Sequence, residues 1–380
     1  MSLPLTLALR ARCNQLGLIY VPGEGSPTSK LWLLGEAPGE EEERARRPFV
    51  GKSGRFLNAS VDTIRGSRAD CFVCNVSPVR PPENRWEALD QYTGTESLSF
   101  HQDCADALLE QVAYFKPNCI FAMGANALAT LTECAQIKVW RGYILKVAES
   151  KVVASFRPSD ILHKMNEKTA KKERMGEGGV KYSYGTGRIT FLLDLKRALE
   201  ESQSRELTIP SRTLHWDLGQ EQSLQYLQQL GSEPEVAFDI ETKGAWIDRI
   251  AFATREYGIS IPLGVGEFKE EIKSKTAALL ANHDGLIAQN GGFDMGQLKK
   301  AGMPVCRLYA DTMVAHHLLY PELPHSLDYL ASTYCRLKAP PHAPGWDEDA
   351  NRGKANALHA LLTMEIWKKL EGELKEFETC

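Results

Sequence analysis

Two groups of residues in this chain have types and spacing that could do chemistry. The first begins where a short apolar run, Leu31–Leu34, ends in Gly35-Glu36-Ala37-Pro38-Gly39. An acidic run follows, and then Arg47-Pro48-Phe49-Val50-Gly51-Lys52-Ser53-Gly54. A strand ending in a loop rich in Gly and Pro presents a carboxylate, a flat aromatic ring and several backbone amides together. The second group is Phe238-Asp239-Ile240-Glu241-Thr242. Two carboxylates two residues apart on a strand lie on one face. Either motif alone is weak, because most Gly-rich loops are turns and exposed strands often carry acid pairs.

The surrounding pattern says what must position these residues. In the first half, Leu31–Leu34, Cys71–Val76, Asn118–Ala122 and Val152–Phe156 are apolar runs of buried-strand length. Helical spacing, as over Asp106–Tyr114, fills the intervals,. Strands alternating with helices predict a mostly parallel sheet covered on both faces, with a site at the carboxyl ends of its strands. Ile189–Leu199 reads as a closing helix, and the polar stretch after it as a linker,. A second α/β pattern starts near Glu235, with strands at Val236–Ile240, Ile250–Ala253, Ile259–Ile261 and Leu286–Gln289. It has a helical stretch at Tyr329–Tyr334 and a long amphipathic helix over Asn356–Phe377, with Lys368 and Lys369 on its wet side. Lys164–Arg174 carries five basic residues against two acidic ones, which alone reads as solvated surface,.

Composition sets the outer limits. The 380 residues are 43% hydrophobic and 25% charged, enough for two cored domains and too apolar for disorder. A net charge of −4 excludes coating nucleic acid by bulk charge, though not a local basic patch,. Nine scattered cysteines and no signal-peptide pattern favour a reducing compartment over a disulfide framework,. No apolar run suffices to cross a bilayer,. The expected setting is cytoplasmic, including that of a viral protein acting in host cytoplasm.

GEAPG coupled to PFVGKSG, with Asn75-Val76-Ser77-Pro78-Val79-Arg80-Pro81-Pro82-Glu83-Asn84-Arg85, FKPNCIFAMGANA and Phe156-Arg157-Pro158-Ser159, resembles the family 4 uracil-DNA glycosylases over about residues 10–200. That resemblance implies catalytic roles for Glu36, Asn75 and Arg157, and substrate contacts from Phe49, Asn84 and Ser159. Phe49 would stack on an extruded pyrimidine, and Asn75 would read its pairing edge. Glu36 would orient water or stabilise a positive sugar. The basic run would bind DNA phosphates through Lys164, Lys168, Lys171 and Lys172, with Arg174 beside them. Two departures stand out. The family's His-Pro-Ser is Arg157-Pro158-Ser159 here, a permanent cation and a poor proton donor. Of the four cysteines that hold the family's iron–sulfur cluster, Cys13 and Cys104 match, while Arg10 and Val79 replace the others. Cys71 and Cys74 are out of register, so the cluster is expected to be absent.

Asp239, Glu241 and Asn290-Gly291-Gly292-Phe293-Asp294, with Asp311-Thr312 and His325-Ser326-Leu327-Asp328-Tyr329-Leu330, resemble the DEDD 3′–5′ exonuclease domain of family A DNA polymerases over about residues 210–378. In that family the carboxylates hold divalent ions, Mg²⁺ or Mn²⁺. Asp239, Glu241 and Asp294 match three of the four acids. The last motif aligns with Ala355-Asn356-Ala357-Leu358-His359, so its tyrosine is missing and His359 stands in the fourth metal position. An imidazole suits Mn²⁺ or Zn²⁺ better than Mg²⁺. Asp311 reads as a helix cap, and His316 and His317 as packing or surface residues.

The expectation is therefore α/β throughout, as two three-layer domains. A uracil-DNA glycosylase-like parallel-sheet domain (1–200) and a linker (201–215) precede a ribonuclease H-like exonuclease domain with a mixed sheet (216–380). With no polymerase module before Cys380, the expected partners are single-stranded or primer–template DNA and a separate DNA polymerase, as in a phage-like replication machine. Two readings stay open: an enzyme that excises uracil and trims 3′ ends, or a non-catalytic DNA-binding accessory subunit with one or both sites silent. An RNA exonuclease of the RNase D type would share the carboxylates without accounting for the first half.

Overall fold

The computed structural model describes residues 3–93, 99–163, 184–244, 246–263, 269–341 and 351–378. The basic run with Lys164, Lys168, Lys171, Lys172 and Arg174 lies outside the described residues. The chain divides into two compact units, Met1–Thr208 and Ile209–Cys380.

In the first unit the elements run α1 (Pro4–Gln15), β1 (Leu31–Gly35), α2 (Glu40–Ala45), α3 (Lys52–Thr63), β2 (Cys71–Asn75), α4 (Phe100–Phe115), β3 (Cys119–Met123), α5 (Ala125–Leu131), α6 (Ile137–Trp140), β4 (Ile144–Val147), β5 (Ser150–Ser155) and α7 (Tyr184–Ser202). The sheet order is β2-β1-β3-β5-β4. All neighbours are parallel except β4, an edge strand antiparallel to β5. The strands are apolar on both faces, as a covered parallel sheet requires. Leu31, Leu33, Val73, Phe121 and Val153 pack on Leu57 and Val61 of α3 and Phe191 and Leu195 of α7. Trp32, Leu34, Phe72, Ile120 and Ala154 pack on Leu108 and Val112 of α4 and Leu128 of α5. Register sets Gly35 opposite Asn75 and Met123 opposite Ser155, so β1, β2, β3 and β5 end at one edge of the sheet.

The second unit contains β6 (Thr213–His215), α8 (Gln220–Leu230), β7 (Val236–Lys243), β8 (Trp246–Ala253), β9 (Tyr257–Pro262), α9 (Lys269–Asn282), β10 (Leu286–Ala288), α10 (Gly291–Lys300), β11 (Ala310–Asp311), α11 (Thr312–Leu319), α12 (Leu327–Tyr334) and α13 (Arg352–Glu378). Its sheet order is β11-β10-β7-β8-β9-β6. The β7-β8-β9 meander is antiparallel, while β10 and β11 continue parallel to β7. This is the mixed sheet expected of the second unit. Phe238 and Ile240 enter the core beside Leu227 and Leu280. By strand alternation Asp239 and Glu241 face the other way, toward α13,.

Two expectations are corrected. The stretch 201–215 is not all linker: α7 continues to Ser202 and β6 adds an edge strand at Thr213–His215, leaving residues 203–212 between them. Helix α13 is not simply amphipathic, because every residue from Ala357 to Met364 is buried, so it is a core helix there. Lys369 is exposed, but Lys368 is only 20% exposed and pairs with Glu235 and Glu371 rather than facing water.

Candidate active sites

At the carboxyl edge of the first sheet a cleft of about 540 Å³ is lined by Glu36, Phe49, Asn75, Asn84, Arg157 and Ser159, among others. Sequence positions spread over more than a hundred residues thus meet in one place, because β1, β2 and β5 all end there. Glu36 follows β1 and is 9% exposed. Its carboxylate accepts from the Asn126 backbone N–H at 3.0 Å, Asn126 Nδ2 at 3.1 Å and Arg157 Nη1 at 2.9 Å. Arg157 also donates through Nε and Nη2 to Asp160, the closest contact being 2.8 Å. Burial works against the Arg157 charge, but Asp160 and Glu36 outweigh it and hold its pKa above the usual arginine range. The guanidinium is therefore a fixed cation clamped between two carboxylates.

Asn75 closes β2. Its Oδ1 is buried without a hydrogen-bond partner among the described residues. Orphaned buried acceptors are uncommon in folded chains. Phe49 and Asn75 meet over Gly35, where a Cβ would stand 2.4 Å from Asn75 Oδ1 and 2.5 Å from Phe49 Cζ. Asn84 is exposed, with φ +58° and its Oδ1 held by Arg80 Nε at 2.7 Å. Ser159 is half-buried on the cleft wall.

The cysteines do not fit an iron–sulfur cluster. Cys13 and Cys104 are buried in an apolar cluster with Leu9, Phe100 and Val79, so the third ligand position is occupied by core packing. Cys71 and Cys74 are three apart on β2 and enter the cores on opposite faces of the sheet,. Burial raises the thiols of Cys13 and Cys71 to about 11 and that of Cys74 to about 12.

In the second unit, ligand atoms of Asp239, Glu241 and His359 lie within 4.8 Å of one another. His359 Nδ1 is 3.8 Å from Asp239 Oδ2 and 3.7 Å from Glu241 Oε1. Burial alone would push the imidazole down, but the adjacent Asp239 and Glu241 carboxylates raise it to about 9. Asp294 is 6% exposed near this group but outside it. Burial, then the Asp239 charge, raises its carboxyl to about 7. Two carboxylates and an imidazole on facing elements fit one divalent ion with mixed O and N ligands. Asp311 caps α11 by accepting from Met313 N at 2.9 Å, and also accepts from Asn290 and Gly291 N–H. His316 is buried against His325, and His317 is exposed.

Several residues of these sites escaped the sequence reading. Asn126 and Asp160 hold Glu36 and Arg157. Asn356 donates to Asp239 Oδ2 at 2.8 Å and accepts from Ser260 Oγ at 2.7 Å. The available signal was position: Asn126 follows a strand end, Asp160 lies three residues beyond Arg157, and Asn356 lies one turn before His359 on the same helix face.

Comparison with known proteins gives these geometries a family. Residues 22–176 match the model of the uracil DNA glycosylase superfamily. The type-4 uracil-DNA glycosylase of Thermotoga maritima is 33% identical over 145 residues, spanning 37% of this chain and 71% of that protein. The chain belongs to the uracil-DNA glycosylase superfamily. The type-4 enzyme of Archaeoglobus fulgidus is 29% identical over 154 residues, covering 38% of this chain and 73% of that protein. Residues 215–342 match a 3′–5′ exonuclease model, which ends before α13 and His359. Among solved structures, the catalytic core of RRP6 from Trypanosoma brucei aligns with 45% of this chain and 50% of its own, at 17% identity and TM-score 0.37. A glycosylase-superfamily domain joined to an exonuclease-family domain supports DNA repair or processing, with hydrolysis as its chemistry. Among the described residues no helix is long and apolar enough to cross a membrane.

Proposed function

We propose that the first unit excises uracil from DNA, and that the unpartnered Asn75 Oδ1 carries this reading. An extruded uracil stacked on Phe49 would offer its N3–H to Asn75 Oδ1 and its O4 to the Asn75 amide. Cytosine has no proton at N3 and an amino group at C4, so it fails both contacts. Glu36, fixed by Asn126, is placed to orient the attacking water or to stabilise the positive charge developing on the sugar. Arg157 supplies a fixed cation for charge on the departing base, which leaves without a proton from this residue. Asn84 and Ser159 contact the substrate at the cleft walls, and Lys164, Lys168, Lys171 and Lys172 contact phosphates. The test is alkali-dependent cleavage of a single strand carrying one uracil, assayed in EDTA and with Asn75→Ala. Loss of cleavage in that variant, with DNA binding kept, supports the reading.

For the second unit we propose a divalent-ion site formed by Asp239, Glu241 and His359, with Asp294 beside it, acting on 3′ ends next to a separate DNA polymerase. When bound, the ion would activate water and stabilise the leaving oxygen. His359 as a nitrogen ligand favours Mn²⁺ over Mg²⁺. A second reading rests on the same residue: an imidazolium seated between Asp239 and Glu241 supplies the positive charge itself, and the unit then only holds DNA. A metal-dependent 3′ ladder lost in Asp239→Ala decides for the nuclease; a gel shift without turnover decides for the DNA-holding domain. The polymerase partnership predicts that 3′ mismatches are trimmed during synthesis when a replicative polymerase is added.

A further inference from the structure

One member of the acidic run Glu40–Glu43 is turned inward. Glu42 is 9% exposed, while Glu40 and Glu41 are exposed. Its Oε1 accepts from the backbone N–H groups of Val50 at 3.1 Å and Gly51 at 2.8 Å, and its Oε2 from Gly39 N–H at 3.1 Å. One carboxylate therefore ties the loop after β1 to the turn that carries Phe49.

The other side of that turn is held by Arg68. Its Nη2 donates to the Pro48 carbonyl at 2.9 Å, and its Nη1 to Asn58 Oδ1 at 2.7 Å and the Phe49 carbonyl at 3.4 Å. Between these two grips Phe49 has φ +54°. That left-handed backbone is costly for an aromatic residue and persists only where its surroundings over-determine it. The turn also presses on α3, where a Cβ at Gly54 would stand 1.9 Å from the Phe49 carbonyl oxygen. Such strain means that Phe49 would relax, and its ring would leave Gly35 and Asn75, if either grip were removed.

We propose that Glu42 is a positioning residue for pyrimidine recognition, acting through the turn at Pro48–Gly51 to hold the Phe49 ring over Asn75, with Arg68 as its counterpart. This rests on the uracil-excision reading for its ligand, but the clamp itself rests on the contacts above. Charge-assisted bonds to backbone N–H groups are among the stronger hydrogen bonds, and three converging on one buried carboxylate make a stiff joint.

The experiment uses the full chain, with free uracil as the probe and amide hydrogen exchange as an independent readout. Glu42→Ala should weaken uracil binding by about 5- to 10-fold, as expected for partial loss of one base-stacking platform. It should also raise exchange at Val50 and Gly51. Glu42→Gln keeps an oxygen for Val50 and Gly51, so it should recover most of the affinity while losing the Gly39 contact. In a Phe49→Ala background, Glu42→Ala should add no further loss, because its effect travels through the ring. Multiplying losses in the double variant, or uracil affinity unchanged in Glu42→Ala, overturns the proposal. Should the wild-type chain not bind uracil, the excision reading fails and the clamp is decided by exchange alone. Unchanged protection at Val50 and Gly51 in Glu42→Ala then refutes it, and raised exchange confined to that turn upholds it.

Discussion

Gly124→Ala is a substitution that the cleft of the first unit should tolerate poorly. Gly124 links β3 to α5 with φ +112°, and a Cβ there would stand 2.3 Å from Glu36 Oε1 and 2.5 Å from Arg157 Cγ. Neither neighbour can yield freely, because Glu36 is held by Asn126 and Arg157 by Asp160. The unfavourable backbone costs about 1–2 kcal/mol and the forced displacement about 1–3 kcal/mol, for a total of roughly 2–5 kcal/mol. In a unit of this size that lowers its melting transition by about 5–15 °C. Gly17 provides the control: it has φ +67° but nothing within 4 Å of the added carbon. Gly17→Ala should cost only the backbone share, about 1 kcal/mol or ~2–4 °C. The assay is calorimetry of both variants together with single-turnover uracil release. Moving Glu36 and Arg157 should cut release by about 100-fold or more, whereas Gly17→Ala should leave it intact. If both variants melt within about 2 °C of each other and release uracil alike, the packing assigned to Glu36 and Arg157 is wrong.

Four further outcomes follow from the charged groups and the thiols. Uracil release should be flat between about pH 6 and 9, because Arg157 does not titrate there; Arg157→His should introduce a limb near pH ~6.5. A limb of that kind in the wild type would contradict the assignment. In EDTA, His359 at about 9 when folded, against about 6.5 when unfolded, stabilises the second unit fully below pH ~6.5 and progressively less as pH rises to 9. The loss is on the order of 3 kcal/mol and should vanish in His359→Gln, as read by urea unfolding at each pH. His359→Asp restores the fourth acid and should raise any Mg²⁺-dependent 3′ trimming by at least about tenfold. Cys306 is exposed while Cys13, Cys71, Cys74 and Cys104 are buried. A thiol reagent at about pH 8 should therefore label Cys306 in the native protein and the other four only after unfolding. Native labelling of Cys13 or Cys104 would contradict the packing described around them.

The parts of this molecule legible in its sequence were those written as contiguous runs. LWLL, CFVCNV and NCIFA announce buried strands because both faces of the sheet are covered; Asn75 ends the second strand, and Glu36 and Gly124 follow the first and third. Strand alternation likewise places Asp239 and Glu241 on one face without any tertiary knowledge. Tertiary partners were not legible. Glu42 reads as one acid among four, and only the approach of Val50 and Gly51 singles it out. Asn126, Asp160 and Asn356 are polar residues whose meaning depends on which element packs against them. Strand β4 escaped because Leu145, Lys146 and Val147 are not buried, as at a sheet edge, and Lys368 was misplaced because Glu235, just before β7 and far away in sequence, meets it.

The most direct measurement is a denaturing gel of a labelled single strand with one uracil, incubated with the protein in EDTA and then treated with alkali. Cleavage at the uracil by the wild-type chain, absent in Asn75→Ala and absent on the matching cytosine strand, is the predicted result. An intact strand that still shifts on a native gel would contradict uracil excision and leave a protein that holds DNA without cutting it.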